Sequence, residues 1–182
     1  MKSFSRIALG LGLSAAAIFL LNSCAIGLPK GAEAVTNFNV NKYVGKWFEI
    51  ARLDYRFEKN LDHVTATYFT IGNGDLKVDN RGFDYKKNKW KDAFGIAKFA
   101  KSPDIGELKV SFFRPFWASY NVIDIDENYK YALVIGKNTD YMWILSRYET
   151  IPDSYKQRFL AKAKSLGFKT EDLIWVNQDI KY

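Results

Sequence analysis

The sequence predicts an all-β fold: an eight-stranded antiparallel up-and-down β-barrel with one C-terminal α-helix packed on the outside. Three observations carry this. From Asn37 onward, short runs rich in Val, Ile, Tyr, Phe and Thr recur between Gly, Asn, Asp and Pro, the pattern of half-buried strands and turns. The connections Gly72-Asn73-Gly74, Lys86–Asn88, Asp126-Glu127-Asn128 and Lys137–Asp140 are short. Turns of that length join antiparallel neighbours. Aromatic residues make up 16% of the chain, more than an aliphatic core needs and suited to an aromatic-lined interior. Closing such a sheet removes both edges and leaves room for one small ligand.

In chain order, a leader comes first. Lys2 and Arg6 precede an apolar run from Ile7 to Leu21. The run is shorter than the roughly 20 residues of a spanning helix and fits a cleaved secretory signal. It ends in Leu21-Asn22-Ser23-Cys24, which holds the sole cysteine. A cysteine after a Leu-x-Ser step resembles the bacterial lipobox, where the thiol is lipidated and becomes the new N-terminus. Asn22 departs from the small residue usual at that position. An ordinary secretory signal and an uncleaved signal anchor are the alternatives. The resemblance implies a signal peptide at 1–23, a lipidated tether at 24–36 and a domain at 37–182. Ala25, in place of Asp, implies sorting to the outer membrane. One acyl chain anchors a protein only marginally, and a lipobox cysteine carries several.

Composition excludes several chemistries. With one cysteine there is no internal disulfide, zinc ribbon or iron–sulfur centre. The net charge is +7, but the lysines are scattered, and Lys86-Lys87-Asn88-Lys89 reads as a solvated turn. No nucleic-acid partner is expected of an exported protein. Mild attraction to anionic head groups is.

Strands are predicted at Lys46–Leu53, His63–Thr70, Asp75–Asp84, Lys89–Phe99, Glu107–Phe113, Ser119–Ile125, Tyr129–Gly136 and Tyr141–Arg147. Pro152 then starts a helix. Tyr155, Phe159, Leu160, Ala163 and Leu166 form its apolar face, and Gly167 ends it. One apolar stripe needs a surface, and the outer barrel wall supplies it. Leu173–Val176 reads as a short last strand.

Three stretches carry a resemblance. Gly45-Lys46-Trp47 opens the first strand and continues as Phe48-Glu49-Ile50-Ala51. Asp124-Ile125-Asp126-Glu127-Asn128-Tyr129-Lys130-Tyr131 forms the turn before the seventh. Trp143-Ile144-Leu145-Ser146-Arg147 is the eighth strand, with the helix next. In this order they resemble the three motifs of the lipocalins and, with the leader, the bacterial outer-membrane lipoprotein branch, kin to apolipoprotein D. The resemblance implies that Trp47 plugs the closed end, that Arg147 lies across its face, and that Gly45 belongs to the same structural motif.

Alternation from Trp47 points Glu49, Ala51 and Leu53 inward. The same phase from Arg147 turns Leu145, Trp143 and Tyr141 inward. Family positions add Val64, Ala66, Tyr68, Val78, Asn80, Val110, Phe112, Tyr120, Val122, Ala132 and Val134. Phe48, Ile50, Leu133 and Ile135 face the helix. Glu49, Tyr68, Asn80, Val110, Phe112, Tyr120 and Trp143 are the candidate ligand contacts. The small residues Ala51, Ala66, Gly95, Ala97 and Ala132 favour a real cavity over a filled core. Glu49 is costly in an apolar cup unless paired. It hydrogen-bonds a tyrosine, points outward if the strand phase is shifted, or orients a ligand head group.

The resemblance implies a fatty acid or lysophospholipid as ligand, bound, stored or carried for envelope maintenance. A haem or pigment carrier is a rival reading, with His63, the only histidine, as axial ligand. A structural lipoprotein with a filled barrel is another. No cofactor, metal site or enzymatic activity is expected: there is no Gly-x-Ser-x-Gly elbow, and Asp124, Asp126 and Glu127 lack calcium-loop spacing.

Overall fold

The structure, a computed structural model, describes residues 26–179. Cys24 and the leader lie outside the described residues. Helix α1 (Val40–Tyr43) precedes β1 (Gly45–Arg52), β2 (Leu61–Thr70), β3 (Leu76–Asp84), β4 (Lys89–Phe99), β5 (Glu107–Phe113), β6 (Phe116–Ile125), β7 (Tyr131–Ile135) and β8 (Met142–Ser146). Helix α2 (Asp153–Ser165) and a short β9 (Ile174–Trp175) follow. Every pairing between these strands is antiparallel. β1 pairs with both β8 and β2, so the eight strands close on themselves as expected. The four-residue α1 was not legible. Asn39 caps it by accepting from the Asn41 and Lys42 N–H groups, and it crosses the closed end.

Two cores share the barrel wall. The inner one gathers Phe38, Tyr43, Trp47, Tyr68, Leu76, Val78, Leu108, Val122, Val134 and Leu145. The outer one places Ile50, Ile123, Leu133, Ile135, Met142 and Ile144 under Phe159 and Ala163 of α2. Pro152 is the N-cap residue of α2. Gly167, at φ +84, turns the chain out of the helix. Asp124 on the barrel fixes the helix in register: it accepts from Arg158 Nε at 3.1 Å, and Lys162 Nζ lies 3.7 Å away.

A bulge corrects part of the sequence reading. Glu49 pairs with Leu145, but Ala51 pairs with Ile144, so Ile50 is an extra residue in β1. One extra residue reverses every side chain beyond it. Ala51 and Leu53 therefore join the outer core under α2, and Arg52 turns inward opposite Trp143. A second irregularity, between Asp62 and Thr65, sends Val64 into a small cluster with Leu61 and Val176. His63 sits there at φ 51.

The seam between β1 and β2 is completed by the C-terminus. The two strands pair only from Gly45↔Tyr68 to Phe48↔Thr65 and then part. β9 takes up the freed edge of β1, with Ala51↔Trp175 and Arg52↔Ile174. The His63 N–H donates to the Asn177 carbonyl across the gap. Gln178 Nε2 donates to the Glu49 carbonyl at 2.7 Å and to the Val64 carbonyl at 3.0 Å. Residues 26–36, expected to be a plain tether, lie against the wall: Leu28 and Ala32 pack on the outer core, and the Val35 N–H donates to the Val122 carbonyl.

Candidate functional site

The floor is built from the signature residues. Gly45 opens β1 at φ +95, a conformation that glycine adopts freely, and a Cβ there would stand 3.3 Å from Arg147 Nη1. Trp47 is fully buried and donates from Nε1 to the Tyr43 carbonyl at 2.8 Å. The Arg147 guanidinium lies 3.9 Å from the Trp47 ring centre. The same group donates to the carbonyls of Lys42, Tyr43, Val44, Lys46 and Tyr129. One cation thus satisfies the C-terminal carbonyls of α1 and ties β1 to β8, as the motif implied.

Above the floor stands a tyrosine triad. The Tyr68 hydroxyl donates to that of Tyr120 at 2.8 Å, and the Tyr43 and Tyr120 hydroxyls lie 2.6 Å apart. Burial pushes all three phenols above their ordinary range, so they stay neutral donors and acceptors. Their rings close the lower barrel with little space between them.

The upper half is different. Ala66, Asn80, Val110, Tyr120, Tyr141 and Trp143 face inward yet remain only half-buried, and Ala93 and Phe112 are exposed. Solvent reaches them through the mouth. Phe112 lies over Gly95, where a Cβ would meet its ring at 2.9 Å. The missing side chain makes room for the aromatic one. Asn80 Oδ1 is buried without a hydrogen-bond partner, an acceptor aimed at nothing the protein supplies.

Glu49 is inward and buried, but its partner is Arg52 and not a tyrosine. Arg52 Nη1 donates to Glu49 Oε1 at 2.8 Å, and Arg52 Nη2 donates to the carbonyls of Glu58 and Leu61 at 2.9 Å each. Arg52 Nε lies 3.7 Å from Glu58 Oε2, which also accepts from the Tyr55 hydroxyl at 3.1 Å. Two carboxylates share one guanidinium. Burial raises the Glu49 carboxyl well above its usual range and Glu58 adds to the rise, against the pull of Arg52. Burial also raises Glu58. Arg52, Tyr55 and Glu58 escaped the sequence reading because strand alternation put Arg52 outside. A cation three residues after Glu49 was the only signal, and it needs a bulge to be read.

This cluster braces the β1–β2 loop over the mouth. Tyr55 is buried, packs edge-on to Trp143 with ring centres 5.2 Å apart, and lies 5.7 Å from Tyr141. His63 faces away from the interior, with its ring 6.3 Å from Phe83 and 6.4 Å from Trp90 on the outer wall. It is out of reach of a ligand in the barrel. Two open grooves of about 470 and 360 Å³ score that outer wall and share Lys46, Thr65 and Arg81. Their charged lining does not suit an apolar ligand. The acidic turn has structural work: Asp126 accepts from the N–H groups of Asn128 and Tyr131. Among the described residues no group of His, Cys, Asp and Glu could hold a metal ion.

Known proteins place this architecture. A lipocalin-like domain model matches residues 38–178. The outer membrane lipoprotein Blc of Citrobacter freundii is 47% identical over 163 residues, covering 89% of this chain and 92% of that protein. Apolipoprotein D of Rattus norvegicus is 33% identical over 130 residues, 64% of each chain. The solved structure of insecticyanin from Manduca sexta superposes with a TM-score of 0.67 at 18% identity, covering 86% of this chain and 88% of that one. That last likeness speaks to the fold alone. The family match and the close lipoprotein relatives support a carrier of a lipid or other hydrophobic ligand. With near half-identity over most of its length, the chain belongs to the lipocalins, in their branch of lipid-anchored outer-membrane lipoproteins.

Proposed function

We propose that this lipocalin binds one single-chain lipid, a fatty acid or lysophospholipid, in the upper half of its barrel, and stores or transports it during envelope maintenance. The observation that carries the reading is the contrast inside the cup. The floor is sealed by Trp47 and three tyrosines, while Val110, Phe112 and Trp143 above it are apolar, inward and reached by solvent. A mostly apolar concavity with few polar groups is the usual form of a small-molecule site. An acyl chain gains about 0.8 kcal/mol per buried CH₂. A long chain therefore gains on the order of 10 kcal/mol before its ordering cost, enough for useful affinity without special chemistry.

Roles follow from position. Trp143, Phe112 and Val110 line the acyl path, and Tyr68 and Tyr120 set its lower limit. Asn80 offers an unpartnered acceptor to a hydroxyl of the ligand. Glu49 is committed to Arg52 and shapes the wall beneath the head group. Cys24 carries the lipid anchor, which keeps the protein beside its ligand supply. The protein binds and releases without chemical turnover. Native mass spectrometry of protein purified from cells tests the reading. A co-purified mass of one fatty acid or lysophospholipid is expected. A chain that stays empty after incubation with both classes would contradict it.

A further inference from the structure

We infer that the open end of the barrel is a membrane-docking surface: Phe57, Phe113 and Phe116, within basic loops, seat the mouth on an anionic phospholipid bilayer. This rests on the lipid-carrier reading and adds to it an orientation and the surface from which ligand is taken.

Three independent observations converge on that end. The first is apolar exposure. Phe57 is 69% exposed, Phe113 81% and Phe116 62%, on two loops that face each other across the mouth. Burying such rings in the protein would stabilise it, yet each stands in water. Apolar rings exposed in this way gain by burial in the head-group and acyl boundary of a bilayer.

The second is charge. Three of the four mouth loops, with the first residue of β4, carry Arg56, Lys59, Lys86, Lys87, Lys89 and Arg114, all exposed, against Asp54 alone among exposed acids. The fourth loop balances Lys137 with Asp140. The closed end shows no such excess: Asp104, Glu127 and Glu149 stand beside Lys42, Lys101 and Lys130. Lysine and arginine are drawn to an anionic surface. The asymmetry therefore selects the mouth and fits negative head groups.

The third is where the tether ends. The Gly27 N–H donates to Ser119 Oγ and its carbonyl accepts from Asn121 Nδ2, each at 2.9 Å. The same Asn121 amide reaches the carbonyls of Ile135 and Gly136, where β7 runs into a mouth loop. From Gly27 the chain descends the wall to the floor, where the Phe38 N–H donates to the Asp104 carbonyl. Cys24 stands three residues before Gly27 and so lies within about 11 Å of it. An anchor there holds the mouth end, and not the floor, beside the bilayer.

The test uses the full lipidated chain in vesicles of phosphatidylethanolamine with phosphatidylglycerol, or of phosphatidylcholine alone. Phe113→Cys and Glu127→Cys each take an environment-sensitive fluorophore, at the rim and at the floor; Cys24 is acylated and does not compete. The rim label should shift to the blue and be quenched several-fold more than the floor label by nitroxide-bearing lipids. The effect should be larger with phosphatidylglycerol and shrink at high salt. Both labels remaining in water, or the floor label being the one quenched, would overturn the inference. So would a blue shift that persists in detergent with the chain sedimenting as a dimer, since the rim would then be covered by a second copy. Binding of lysophospholipid to a Phe113→Asp, Phe116→Asp variant in detergent-free solution separates the two claims. Normal binding there, with a rim that never touches the bilayer, removes the docking surface and leaves the carrier. A docked rim on a protein that binds no lysolipid does the reverse.

Discussion

Arg147 and Arg52 solve opposite problems with the same side chain. Arg147 is surrounded by carbonyls and an indole face, with no carboxylate within ion-pair reach among the described residues. Arg147→Lys keeps the charge but loses the planar fork that feeds five carbonyls. Charged hydrogen bonds contribute about 1.5–3 kcal/mol and an arginine–indole contact about 0.5–2. The variant should lose roughly 2–4 kcal/mol in urea unfolding. Arg52 neutralises two buried carboxylates. Arg52→Met leaves both uncompensated and should cost about 3–5 kcal/mol at neutral pH. Burial already raises Glu49 and Glu58 above the ordinary carboxylate range, and without Arg52 they rise further. The folded variant then binds protons that its unfolded chain releases, so its stability falls as pH rises through that window. Melting curves should show the deficit of Arg52→Met shrinking from pH 7.5 to pH 5. A deficit that grows on acidification would mean the carboxyls are solvated.

The strands show what a sequence can and cannot disclose about an element. Periodicity and turn residues placed all eight barrel strands to within a few residues, because half-buried β-structure writes its two faces alternately into the chain. The bulge at Ile50 is invisible to that reading: Glu49, Ile50 and Ala51 obey alternation equally well in either phase, and only the partner strand decides. Hence Ala51 and Leu53 were assigned to the wrong face and Arg52 was overlooked. Trp143 was legible because β8 runs without a bulge from Arg147, which sets its phase, whereas Tyr120 and Val110 came from family positions and not from alternation, since β6 itself gains an extra residue at Ile123. The C-terminal strap was legible as a strand but not as the piece that fills the seam. Gln178→Ala removes its two hydrogen bonds to buried carbonyls and should cost about 1–3 kcal/mol. Amide exchange should speed up at His63 and Val176 more than at Leu133. Uniform acceleration would instead make the strap part of the global unfolding unit.

At the scale of the molecule, the barrel divides along its axis. Below, Trp47, Arg147 and the tyrosine triad make a packed and hydrogen-bonded plug whose purpose is closure. Above, the wall is apolar and open, braced by the Glu49–Arg52–Glu58 cluster and overhung by Tyr55. That division assigns stability to one half and ligand to the other. Phe159→Ala, on the face of α2 that packs on the outer barrel wall, should cost about 3–5 kcal/mol and leave lipid affinity of the folded protein unchanged. Trp143→Ala should do the reverse, weakening lipid binding at least several-fold while moving the melting temperature little. Equal losses of both in Trp143→Ala would make that ring core.

Trp143 faces the chamber, Trp47 is sealed in the floor, and Trp90 borders an outer groove, so tryptophan quenching reports where a lipid sits. A lysophospholipid brominated along its acyl chain, titrated into the protein, should quench emission in the wild type, and most of that quenching should vanish in Trp143→Phe. Quenching that survives Trp143→Phe but is lost in Trp90→Phe would put the lipid on the outer wall and contradict the account.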